Sequence, residues 1–158
     1  MMNINKMTEK LQQGLVSAQS LATSLNHQEI DIPNLLSALL QDYDGLAARI
    51  LTKAGYSIPD IVQDLKQILN KKPTVTGSSR EPYVSSDLNR ALLKADDYAR
   101  AWKDDYLSIE HVLLAMLESK DYEMKQLIKK YDIKEKHLKE IISQIRFTTT
   151  SRHSRFFI

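Results

Sequence analysis

The sequence predicts an all-α fold: eight helices arranged as two pseudo-symmetric four-helix halves. Three observations carry that expectation. Apolar residues recur at spacings of three and four along most of the chain, as they do on helices with one buried face. No stretch shows the strict alternation of a half-buried strand. The chain is also written twice. Leu107–Leu117, LSIEHVLLAML, answers to Ile30–Leu40, IDIPNLLSALL, at a constant offset of 77 positions. The same offset pairs Leu11 with Leu88, Leu15 with Leu92, Ala18 with Ala95 and Ala22 with Ala99. Further on it pairs Asp44 with Asp121, Lys53 with Lys130, Ile61 with Leu138, Leu65 with Ile142 and Ile68 with Ile145. No gap is needed from Thr8 to Arg146. Internal duplication on this scale settles the fold-level reading before any single element does.

Taken in order, residues 1–7 form a short leader in which Ile4 and Met7 are available to pack as a hydrophobic staple. Thr8 is a good N-cap for the first helix, whose apolar face is Leu11, Leu15, Ala18, Ala22 and Leu25. Gly14 interrupts that helix at a cost of roughly 1 kcal/mol against alanine. Its repeat partner is Ala91, and a small residue at both positions points to close approach of another helix. Asn26-His27-Gln28 breaks the pattern, and Asp31 caps a second helix with Pro33 in its first turn. Leu35, Leu36, Leu39 and Leu40 give it a broad apolar face. Gly45 marks a turn before a third short helix carrying Leu46, Ile50 and Leu51, which Gly55 ends. Ser57 and Asp60 open the fourth helix in the manner of a capping box, and Ile61, Leu65, Ile68 and Leu69 are its buried side. Lys71–Val84, KKPTVTGSSREPYV, has no apolar periodicity and reads as the connector. The second copy repeats the plan at about Ser86–Ala101, Ser108–Glu118, Tyr122–Tyr131 and Lys134–Arg146. One domain over 1–150 is expected, with repeat 1 about 8–70, linker 71–84 and repeat 2 about 85–147. The tail 148–158 matches neither copy and reads as a frayed linker start or an appended scar.

Composition narrows the function classes. A chain of 158 residues is long enough to bury one sizeable core. With 42% hydrophobic and 27% charged residues it reads as an ordinary soluble globular protein. A net charge of +2, with charges scattered along the chain, gives no argument for nucleic acid. The absence of cysteine excludes disulfides, thiol catalysis and cysteine-bound zinc. No apolar run approaches the ~20 residues of a membrane span, and MMNINKMTEK lacks the apolar centre of a signal peptide. A cytoplasmic protein with no membrane partner is the expectation.

Catalytic motifs are missing. There is no phosphate-binding glycine loop, no nucleophile elbow and no H-E-x-x-H. His27, His111, His137 and His153 are far apart with no partner one helical turn away, so no metal site is expected. No cofactor is expected in this chain, and no enzymatic role.

The duplication, the helix order and several short stretches together resemble the Clp N-terminal repeat domain, which precedes the ATPase modules of Clp-type unfoldases and disaggregases. The resemblance covers about Met2–Arg146. Within the family it is most similar to the ClpB-type disaggregases, through M-T-x-K-L-Q at Met7–Gln12, A-Q-S-L-A at Ala18–Ala22 and S-A-L-L at Ser37–Leu40. P-x-V-x-G at Pro73–Gly77, followed by S-x-D-L at Ser85, Asp87 and Leu88, adds to it. The ATPase modules themselves are not in this chain.

The resemblance implies a module of a hexameric, ATP-using machine that engages unfolded or aggregated client polypeptides and helps deliver them to the ATPase ring. A DnaK-type chaperone would cooperate through the parent protein. It further implies substrate handling by Thr8, Asp104 and Glu110, beside an apolar groove at the positions of Lys94, Tyr98 and His111. Read from the residues alone, Thr8 is equally an N-cap, Glu110 a charge suited to a helix's first turn, and Asp104 a loop residue. Tyr98 and Trp102, four apart on one helix, read more readily as core than as binding face. Two other functions fit the same fold: docking of a protease adaptor, as in ClpA- and ClpC-type relatives, and a structural cap that binds nothing.

Overall fold

The structure, a computed structural model, describes residues 3–77 and 80–157. Positions 1–2 of the leader, 78–79 of the connector and 158 of the tail lie outside them. Among the described residues eight helices follow the expected order: α1 (Glu9–Ser24), α2 (Ile32–Leu40), α3 (Leu46–Lys53), α4 (Ile58–Lys71), α5 (Ser86–Ala101), α6 (Ile109–Ala115), α7 (Tyr122–Lys130) and α8 (Glu135–Phe157).

The helix starts repeat between copies because their caps do. The Thr8 hydroxyl accepts the Leu11 N–H at 3.2 Å, and Ser85, one offset on, accepts the Leu88 N–H at 3.0 Å. Asp31 with Asn34, and Ser108 with His111, form reciprocal capping boxes at the starts of α2 and α6.

Helix ends repeat as well. Asn26, Lys103, Gly55 and Asp132 each follow a helix in the left-handed region, at φ 59°, 60°, 100° and 52°. Each lets the next N–H reach back to the last turn: His27 to Ala22 at 2.8 Å, Asp104 to Ala99 at 2.9 Å, Tyr56 to Leu51 at 3.0 Å and Ile133 to Ile128 at 3.0 Å. Of the four only Gly55 is a glycine, so sequence alone marks that end best.

The buried faces are those the periodicity picks out. Leu11, Ala18, Ala22, Leu35, Leu40, Ile61 and Leu65 share one core with Leu88, Ala95, Ala99, Leu114, Leu138 and Ile142. Each leucine or isoleucine buried there contributes about 1.5–3 kcal/mol.

Two expectations need correction. Strands are present: β1 (Glu29–Ile30) and β2 (Tyr83–Val84) pair in parallel, and Met7 bridges Leu107 in the same sense. Two-residue strands are too short for alternation to show. The two ties are images of one another under the repeat, since Met7 corresponds to Val84 and Ile30 to Leu107. Each copy's first helix is thus stitched to the start of the other copy's second helix: Thr8 N–H donates to Leu107 O and Ser85 N–H to Ile30 O, both at 2.9 Å. The staple is half right. Met7 is buried, but Ile4 sits in a 3₁₀ turn at 52% exposure.

Past Arg146, where the repeat ends, the backbone of α8 continues helical to Phe157. No glycine or proline stands after Lys134 to stop it.

Candidate functional site

Helix α1 comes close to α2 at Gly14. A Cβ there would lie 2.7 Å from Leu39 Cδ2, the close approach that its small size suggests. Beside this crossing opens a cleft of about 700 Å³ between α1, the end of α2, α3 and the start of α6. Gly14, Leu39, Leu46 and Ile109 supply apolar wall, and Thr8 and Glu110 stand together on one side.

The duplication builds the same cleft a second time, between α5 and α6, at about 290 Å³. There side chains bridge it. Lys94 of α5 reaches Glu118 across it at 3.6 Å and the Ser119 hydroxyl donates across it to Asp87 at 2.5 Å, while Arg90 pairs with Asp87 one turn away on α5 at 3.1 Å. The corresponding residues in the first copy are Ser17 and Gln41, Gln13 and Lys10, and Asp42. The Lys94–Glu118 bridge has become a serine and a glutamine, and the Asp87–Arg90 pair a lysine and a glutamine. Among the described residues no such pair crosses the first cleft, although Lys10, Asp42, Asp44 and Arg49 stand in its lining.

Behind the Thr8–Glu110 wall lies a polar cluster. The left-handed turn at Lys103 places Asp104 over the first turn of α6, where its Oδ2 meets His111 Nε2 at 2.7 Å. His111 is fully buried, and its Nδ1 accepts the Ser108 N–H at 2.9 Å. Its proton therefore sits on Nε2 and is donated to Asp104. Arg146 of α8 closes the cluster, with Nη2 2.6 Å from Asp104 Oδ2 and Nε 3.1 Å from Glu110 Oε2. Its guanidinium carbon lies 4.9 Å from the Trp102 ring centre. Nη2 also comes within 3.3 Å of His111 Nε2, but two donors face each other there, so this is contact rather than bonding. Glu110 is further held by the Ser108 hydroxyl. Burial works against the Asp104 charge, but hydrogen bonds from Arg146 and then His111 outweigh it, and the carboxyl stays below its ordinary range.

The first copy carries the same cluster in uncharged form. His27, Asn34 and Leu69 are the counterparts of Asp104, His111 and Arg146. His27 Nδ1 accepts from Asn34 at 3.2 Å, and Nε2 donates to the Leu69 carbonyl at 3.1 Å.

The residues that the resemblance brings forward divide between places. Thr8 and Glu110 line the open cleft; Asp104 lies behind, bonded to His111 and Arg146. Lys94, Tyr98 and His111 are strung along one line of contacts, with Lys94 Nζ 5.4 Å from the Tyr98 ring centre and Trp102 joining Tyr98 to His111, the Trp102 and His111 ring centres 5.3 Å apart. Lys94 belongs to the bridged second cleft, while the Tyr98 hydroxyl donates to Glu135 at 2.8 Å and its ring lies under Lys139. His111 is spent as a cap and has no exposed atom to offer. Tyr98 and Trp102 are partly buried, packed against the core with ring centres 5.8 Å apart. Two residues escaped notice. Ser17 carries no motif, and Arg146 falls at the last position of the repeat. A signal for Arg146 exists: a cation stands where the other copy has Leu69, which is buried.

Among the described residues no group of three or more His, Asp or Glu is arranged to hold a metal ion, and no helix is long and apolar enough to cross a membrane.

Comparison with known proteins now decides the family. The profile of the Clp repeat N-terminal domain matches residues 6–131. The chain belongs to the Clp repeat N-terminal domain family. It is 43% identical over 148 residues to the chaperone protein ClpB of Bacillus cereus, covering 92% of this chain and 17% of that protein. It is 41% identical over 120 residues to ClpB of Nitratidesulfovibrio vulgaris, covering 74% of this chain and 14% of that one. The chain thus spans about a sixth of the length of these ClpB relatives. Its fold is that of the Hsp104 N-terminal domain from Candida albicans, at TM-score 0.77 and 21% identity over 89% of this chain and 91% of that one. A ClpV N-domain in complex with a VipB peptide superposes at TM-score 0.72 and 20% identity over 90% and 88% of the two chains. The Clp N-domain fold and the ClpB-like sequence are therefore established for this chain.

Proposed function

We propose that this ClpB-like N-domain is a substrate-recognition module that takes exposed apolar segments of unfolded or aggregated polypeptides into the α1–α2–α3 cleft. The observation that carries the reading is the contrast between the two copies: one fold makes the cleft twice, and only the first copy leaves it unbridged. An apolar floor with a polar rim that includes Thr8, Lys10, Ser17, Asp42, Arg49 and Glu110 suits weak binding of many sequences, because charges of both signs around an apolar floor demand no one side chain. The peptide seen on a ClpV N-domain lends the reading support, as does the ClpB name of the relatives. In the parent protein the module would pass its client to a hexameric ATPase ring that uses ATP, with a DnaK-type chaperone acting on the same machine in the cytoplasm. Thr8 and Glu110 would touch the client, Asp104 would position Glu110 through Arg146, and Lys94 and Tyr98 would lie outside the contact.

The test is to rebuild the second copy's bridge in the first. Ser17→Lys with Gln41→Glu is expected to abolish binding of an unfolded, apolar-rich protein while leaving the thermal unfolding temperature within a few degrees. Unchanged affinity in the folded double variant would refute the cleft as the site. Binding that is tight and confined to one protein would mark an adaptor-docking surface instead.

A further inference from the structure

Arg146 is where α8 is tied down for the last time among the described side chains. Beyond it Phe147 is 75% exposed, and Thr148 bonds only to Gln144 within the helix. The tie joins three segments at once: Asp104 after α5, Glu110 in the first turn of α6, and α8 itself. Nη1 and Nη2 face the two Asp104 oxygens at 3.3 and 2.6 Å, and Nε faces Glu110 at 3.1 Å, while the guanidinium plane rests on Trp102. Two carboxylates, a fork of donors and an aromatic platform make a complete guanidinium site, filled here by the chain's own arginine. Glu110 belongs to two places. One side of it receives Arg146 from α8, and its residue also lines the open cleft.

We propose that Arg146 is a latch: it holds Glu110 and Asp104 from the α8 side, so that a cationic side chain entering through the cleft must displace it, and displacement frees the end of α8. The coupling rests on the cleft being the binding site; the latch geometry does not. Its consequence is reciprocal, as any linkage between two sites must be. An occupied cleft loosens the last turns of α8, and a firmly docked α8 weakens binding of positively charged segments. Segments without a cation bind without touching the latch.

A nine-residue apolar peptide with one central arginine, and the same peptide with glutamine there, test this on the wild-type chain, Arg146→Gln and Arg146→Lys. Affinities come from amide NMR titration, and the state of α8 from amide hydrogen exchange at residues 143–148. The arginine peptide is expected to bind Arg146→Gln about five- to a hundredfold tighter than wild type, the usual span of a coupling between sites. The glutamine peptide should gain far less, since it brings no cation to compete with Arg146. Exchange at 143–148 should quicken in the variant, and in wild type on adding the arginine peptide, with the Trp102 indole N–H shifting alongside. Arg146→Lys should fall between, since an ammonium cannot fork to both carboxylates. Should Arg146→Gln fail to fold, the lysine variant and the wild-type exchange data decide alone. Equal affinity of wild type and variants for the arginine peptide, or exchange untouched by it, overturns the latch. Failure of both peptides to bind any of the folded proteins removes the cleft reading, and the coupling with it.

Discussion

His27 stands where the second copy has the charged Asp104, and its neighbours are Asn34 and Leu69 where that copy has His111 and Arg146. Both its ring nitrogens are committed, one accepting from Asn34 and one donating to the Leu69 carbonyl. Burial pushes its pKa below 6.5; the Leu69 bond opposes this, and Lys72 nearby adds to it. A base whose folded pKa is lowered is neutral in the native state, while the unfolded chain takes up a proton below 6.5. Stability is therefore full above pH 6.5 and declines as the pH falls from there towards the folded pKa. Carboxylates held low, such as Asp64 beside Lys130 and Tyr131, act only in the more acid window below their unfolded value of 3.8. Urea unfolding between pH 7.5 and 5.5 should show a falling midpoint in wild type and a flatter one in His27→Gln. Equal slopes would mean that His27 is not the group responsible.

At the scale of the element, the helix ends explain what the sequence shows and what it hides. Caps were legible: Thr8, Asp31, Ser57 and Ser85 are the residue types that favour N-cap positions, and the structure puts each there. The buried faces were legible too, because spacing alone identifies them. The left-handed turn at Lys103 was not, since a lysine gives no sign of one, whereas Gly55 advertises it and Asn26 and Asp132 are of types that tolerate it. Those turns set His27 and Asp104 over α2 and α6, so the polar clusters depend on them. The clusters themselves were hidden for that reason: Asp104 and Arg146 are far apart in sequence and meet only once α8 crosses the second copy. Lys103 keeps a left-handed backbone at φ 60°, which costs a non-glycine residue about 1–2 kcal/mol. Lys103→Gly relieves that but gives the unfolded chain more freedom, worth about 0.4–1 kcal/mol. A net gain of about 0.5–1 kcal/mol is expected from urea titration. A loss would show that the lysine side chain contributes more than its backbone strain costs.

Over the whole molecule the two copies interlock rather than sit side by side. The Met7–Leu107 and Ile30–Val84 ties cross between them, and Lys72 from the connector reaches Asp31 and Asp121, both at 3.0 Å. Burial opposes the Lys72 charge, but its hydrogen bonds to Asp31 and then Asp121 prevail and keep it protonated well past its ordinary range. Ser85, the cap of α5, donates to the same Asp31 at 2.7 Å, so connector, first copy and second copy meet at one carboxylate. Such a frame lets the two copies diverge at their clefts without parting. That divergence, with Lys94 and Glu118 bridging one cleft while Ser17 and Gln41 leave the other open, is the basis of the functional reading.

An amide NMR map of the whole chain, titrated with an unfolded, apolar-rich protein, tests that reading most directly. The account predicts weak, fast-exchange shifts at Gly14, Ser17, Leu39, Leu46 and Ile109, with their counterparts Ala91, Lys94, Met116, Glu123 and Ile32 unmoved. Shifts confined to the second cleft or to the Trp102–Phe147 face, or none at all, would contradict it.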